Sequence, residues 1–173
     1  MEPYTQMLPV VGKNVVSVDA NDIECLIRYD VPEAGMIVEN AKKRALYINY
    51  VADPGQIRTL IVMSSGRVYA STVKAGTLAR RMEKTGIPTL SIIGVHSLLA
   101  VHAIESFLQL DHDILEQASR RGDYMDIFRD RTEDKMGQKI RCLVMMDNGH
   151  IYPSTFNIRT LKKKCGESTA MPE

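Results

Sequence analysis

The chain has 173 residues, 45% apolar and 25% charged, with a formal net charge of +1. That length can bury a real core, and the balance is that of a folded globular chain, which argues against disorder except at the ends. No apolar run reaches the roughly 18–20 residues that a membrane helix needs, so no membrane partner is expected.

Residues 1–11, MEPYTQMLPVV, lack a basic n-region leading into an apolar run, so a cytoplasmic location is expected. VVSVDANDIECLIRYD and AGMIVEN are rich in β-formers and predict one or two early strands. Residues 45–52, ALYINYVA, predict a further strand that reaches Ile57–Ser64 through the turn Asp53-Pro54-Gly55. A helix is predicted over 75–84, stopped by Thr85-Gly86 with Pro88 beyond it. TLSIIGV, 89–95, reads as a buried strand. From Ser97 to about Ser119, Ala100, Ile104, Phe107, Leu108, Leu115 and Ala118 recur at helical spacing and predict one long amphipathic helix. Residues 120–138 are a charged connector, and 166–173 a flexible tail.

Two stretches echo one another. IRTLIVMSSGRVYASTVKAGTLARRM, 57–82, and IRCLVMMDNGHIYPSTFNIRTLKKKC, 140–165, align without gaps at an offset of 83 and share ten identities in 26 positions. Chance composition gives roughly one or two. In each, apolar β-formers run into Ser64-Ser65-Gly66 or Asp147-Asn148-Gly149. The Asn-Gly pair tolerates the positive φ of a hairpin turn. The returning strands carry the matched Tyr69 and Tyr152, more simply cross-strand packing than stacking platforms. Ser71-Thr72 and Ser154-Thr155 follow and are placed to cap a helical segment. That segment ends in Arg80, Arg81 and Lys84 in the first copy and in Lys162, Lys163 and Lys164 in the second. Two related ββα units, the long helix and a mixed, mainly antiparallel sheet make an α+β fold, expected as a single domain over residues 1–165.

Charge is segregated between the repeats and the rest. The first repeat carries +5 and the second +4 on a chain of +1, which leaves −8 elsewhere. Basic islands of this kind meet phosphate backbones through counterion release, although a solvated helix face has the same composition. The candidate nucleic-acid contacts are Arg67, Lys74, Arg80, Arg81, Arg159, Lys162, Lys163 and Lys164 for phosphates, with Tyr69, Asn148 and Tyr152 for bases or sugars. There is no Trp, no aromatic interleaving and no helix-turn-helix pattern to add to them.

Catalytic chemistry has less support. His102, Glu105, Gln109 and His112 would share one helical face, but His102 and His112 would lie about 15 Å apart along it, too far for one ion. His150 is matched by Arg67, which reads as a basic surface position. No P-loop, GxGxxG or GxSxG occurs, so no catalytic residue, cofactor or metal is assigned, and an enzyme is the weaker reading. Cys25, Cys142 and Cys165 form no CxxC or CxxH pair. Cys142 belongs in the core, and Cys165 is either an incidental thiol or one activated by Lys162–Lys164.

Two functions compete. One is a small cytoplasmic regulatory protein that contacts DNA or RNA through the basic ββα units, as in transcription regulation. The other is a protein–protein interaction module, an adaptor or anti-activator, using hairpin edges and the acidic stretch from Glu105 to Asp134. A homo-oligomer is expected in both, with a two-fold dimer the commonest form.

Overall fold

The computed structural model describes residues 7–12, 15–93, 97–109, 113 and 141–169. The expected connector, 120–138, lies outside them. Mixed helices and mainly antiparallel sheets make the fold α+β.

The first half opens with an antiparallel hairpin, β1 (Met7–Val11) and β2 (Val16–Asp19). Asp19 then accepts the Asn21 amide at 3.0 Å, which closes a 3-10 turn over Ala20–Asp22. β3 (Ile23–Arg28) follows and is buried along all but its last residue. Next comes helix α1 (Pro32–Lys43), which overturns the strand expected for AGMIVEN. Pro32 sits in the first turn, where its missing N–H costs nothing, and Lys42 and Lys43 lie in the last turn, where the helix dipole favours cations. Ala34, Ile37 and Ala41 form its buried face. Of the strand expected over 45–52 only β4 (Tyr47–Ile48) forms, parallel to β6. β5 (Thr59–Met63) and β6 (Val68–Ser71) are an antiparallel hairpin, and helix α2 (Ala75–Lys84) has the bounds expected of it.

The second half repeats this plan. β7 (Thr89–Ile93), β8 (Ser97–Ala100), a 3-10 turn at Val101–Ala103 and β9 (Ile104–Gln109) reproduce β1, β2, the first 3-10 turn and β3. The long helix expected from Ser97 is therefore wrong as far as Gln109. Its apolar spacing comes from two short strands joined by a tight turn, and the remainder of the stretch, apart from Asp113, lies outside the described residues. β10 (Cys142–Met146), β11 (Ile151–Ser154) and α3 (Ile158–Thr169) match β5, β6 and α2.

The hydrogen bonds repeat with the elements. Ser71 Oγ donates to Val10 O at 2.6 Å, and Ser154 Oγ to Ile92 O at 2.7 Å. The same hydroxyls accept the Val73 and Phe156 amides at 3.0 and 3.1 Å. Ser64 N reaches Asp22 O as Asp147 N reaches Ala103 O, at 2.8 and 2.9 Å. Gly66 and Gly149 close their hairpins at φ +94° and +92°, a backbone region that L side chains rarely adopt. Among the described residues the duplication thus extends from the 26-residue echo back to β1–β3 and β7–β9, at an offset of 82 for β1 and β7, 81 for β2–β3 and β8–β9, and 83 from β10.

The halves are interlocked. β8 of the second half pairs antiparallel with β3 of the first, Cys25 opposite Leu99 and Ile27 opposite Ser97. This completes a six-stranded sheet in the order β4-β6-β5-β3-β8-β7. A second sheet runs β11-β10-β9, and β1-β2 stands as a separate ribbon. One contiguous apolar cluster joins Leu26, Ile61, Leu78 and Met82 with Leu90, Ile92, Val144 and Leu161. Each such aliphatic side chain contributes about 1.5–3 kcal/mol on burial.

Candidate nucleic-acid interface

The basic residues sit on two helices built alike. α2 buries Ala75, Leu78, Ala79 and Met82 and leaves Arg80 and Arg81 in solvent. α3 buries Leu161 and exposes Arg159, Lys162 and Lys163. Lys164 differs: it is half-buried, its Nζ donates to Ser91 Oγ at 3.2 Å, and it lies 4.3 Å from the centroid of the Phe156 ring. Among the described residues, no carboxylate forms an ion pair with Arg67, Lys74, Arg80, Arg81, Arg159, Lys162 or Lys163.

The helices start differently. Asn157 caps α3 by accepting the Thr160 amide at 2.8 Å, whereas Lys74, at the head of α2, supplies no side-chain cap. Beside that uncapped end is a cleft of about 680 Å³ whose walls include Arg28, Tyr29, Arg58, Lys74 and Gly76. Arg28 is held by Asp30, with Nε 3.0 Å from Oδ1. Among the described residues the Arg58 guanidinium donates to the Gly55 carbonyl, at 3.3 Å, and to no carboxylate. Two cations that, among the described residues, have no carboxylate partner stand beside a helix start without a side-chain cap, and together these favour an anion there. Arg58 belongs to the first basic island and is matched by Arg141, so the sequence carried a signal for it. Nothing in the sequence points to Arg28.

The aromatic and amide candidates go elsewhere. Tyr152 is fully buried and its hydroxyl donates to Glu24 Oε2 at 2.6 Å. Asn148 Nδ2 donates to Glu24 Oε1 at 2.6 Å and to Ser64 O at 2.9 Å, and its Oδ1 accepts the His150 amide. His150 Nδ1 lies 2.7 Å from Glu24 Oε2, so it points into the junction between the halves rather than out as Arg67 does. Glu24, itself fully buried, is thus the acceptor at the centre of a cluster that closes the second-half hairpin onto β3. Tyr69 keeps a partly exposed ring beside Arg67 in a separate recess.

Ser71 and Ser154 do not cap helices, as their sequence position suggested; they anchor β1 and β7. His102 lies in the 3-10 turn with Nε2 2.9 Å from Asn21 O, and Glu105 lies on β9, so they share no helical face. His112 is outside the described residues, among which no group of three metal-ligating side chains occurs. No helix among them is long and apolar enough to cross a membrane. The Cys165 thiol is pushed up by burial, which goes against the alternative in which the adjacent lysines activate it. Cys25 and Cys142 are core residues, and burial raises Cys142 to about 11. No family model matches the chain, and no curated protein matches it.

Proposed function

We propose that the chain is a small cytoplasmic regulatory protein that contacts DNA or RNA through the exposed cations of α2 and α3. Arg80, Arg81, Arg159, Lys162 and Lys163 take phosphates, and Lys74 and Arg58 take a further one at the uncapped start of α2. The observation that carries this reading is that these side chains lack carboxylate partners among the described residues. A surface built only for solubility more often intersperses both signs. Tyr69 remains a stacking candidate. Tyr152 and Asn148 are left out because Glu24 holds their polar groups.

The test is a fluorescence-anisotropy titration of labelled duplex DNA and single-stranded RNA across salt. The expected log–log slope for duplex is about −0.9 per phosphate neutralised, and Arg80→Glu or Lys162→Glu should each flatten it by about one. Binding that does not change with salt, or no binding at low salt, overturns the proposal.

A further inference from the structure

The joint between the halves has a specific sense. In it, β3 of the first half lies in a slot of the second, against β8, and Glu24 reaches Asn148, His150 and Tyr152 at the bottom. The first half carries the same slot. It is an open recess of about 390 Å³ bordered by Ser17, Val18, Asp22, Met63, Arg67 and Tyr69. These match Leu98, Leu99, Ala103, Met146, His150 and Tyr152 position for position. The second half carries the same key: β9 matches β3, and Glu105 matches Glu24.

Slot and key do not meet within one chain. A two-fold relation between the halves would pair β2 with β9, yet among the described residues β2 pairs only with β1 and β9 only with β10. The burial patterns agree. β3 is buried from Ile23 through Ile27, whereas Ile104, Phe107 and Leu108 on β9 remain partly exposed and Glu105 is exposed. Arg67, the slot's counterpart of His150, is exposed and free of any ion pair among the described residues.

We infer that β9 of one copy adds to the β2 edge of a second copy, with Glu105 seated on Arg67. The register carries over from the internal joint: Ser106 faces Val18, Phe107 faces Ser17 and Leu108 faces Val16. The internal interface supplies the geometry, and the Glu105–Arg67 pair supplies complementary charge where His150 serves internally. Because each chain offers one key and one slot, association is head-to-tail: it closes at two chains if each key fills the other's slot, and otherwise passes on to a larger ring or a filament. The inference is independent of nucleic-acid contact by α2 and α3 and is tested without nucleic acid; Tyr69 lines the slot, so a chain whose slot is filled cannot also stack that ring on a base.

Sedimentation velocity on the full chain across a concentration series tests it. The wild type is expected to form species of two chains or more. Arg67→Glu and Glu105→Arg, both at exposed positions, should each weaken association about tenfold or more. The double variant R67E/E105R should restore it, with unchanged circular dichroism throughout. A wild type that stays a single chain across the series overturns the inference. So do single variants that leave the mass unaltered, or a double variant that stays dissociated.

Discussion

The hydroxyl of Tyr152 donates to the carboxylate of Glu24 across 2.6 Å, linking residues 128 apart in the chain. A buried carboxylate loses its hydration and persists only when donors replace it. Asn148, His150 and Tyr152 all come from the other half, so the cluster fastens the two halves together as well as satisfying the charge. Tyr152→Phe removes one donor and should lower the unfolding free energy by about 1.5–3 kcal/mol, read from urea denaturation. Tyr69→Phe, at the matched position, should change it by less than about 0.5 kcal/mol. Equal costs would show that the Glu24 hydrogen bond carries no special weight.

Ser71 and Ser154 give an internally controlled comparison. Each hydroxyl ties the first strand of its half to the last, with nearly equal lengths to Val10 O and Ile92 O. Ser71→Ala and Ser154→Ala should each cost about 1–3 kcal/mol, because each removes one of two donors to its carbonyl and leaves the Val73 or Phe156 amide without the hydroxyl it donates to. The double variant should cost the sum of the two to within about 0.5 kcal/mol, since the sites share no partner. Denaturant titration of the three proteins decides it.

Alkaline pH should destabilise the protein through its core thiols. Burial raises Cys142 from 9.0 to about 11, and burial, with the Glu24 carboxylate beside it, raises Cys25 well above its ordinary value. The unfolded thiol loses its proton first. The contribution is therefore complete below pH 9 and is lost as pH rises toward 11, about 2–3 kcal/mol for Cys142. Melting temperatures from pH 8 to 11 should fall less steeply in Cys142→Ala than in the wild type. Parallel curves would refute the assignment.

The hairpins were legible because their turns are chemically restrictive: Gly149 sits where a positive φ is required, and Gly66 repeats it. The wider duplication was hidden for a physical reason. Strand–turn–strand segments such as β2–β3 and β8–β9 ask only for apolar residues on the buried face, so Ile23/Ile104, Glu24/Glu105 and Asp30/Asp111 are the identities left between 15–30 and 96–111. The offset of 81 there is also invisible to a gap-free alignment at 83. Ala100, Ile104, Phe107 and Leu108 satisfy a helical period as well as two strands broken by a turn, and the tertiary partner β3 decides for strands. α1 failed the other way: Met36-Ile37-Val38 looks like a strand, while Pro32 and Lys42-Lys43 carried the helix signal. Of the candidate interface, the helix cations were readable from charge alone. The withdrawal of Tyr152 and Asn148 was not, because it depends on Glu24, more than a hundred residues away.

The pairing of Cys25 with Leu99 also bears on how the chain is made. When α2 emerges from the ribosome, β3 still lacks one neighbour, and its edge stays bare until Ala100 has been added. A nascent first half therefore waits, with an adhesive strand exposed, for a segment not yet synthesised. Slow translation through residues 85–100 would lengthen that vulnerable interval.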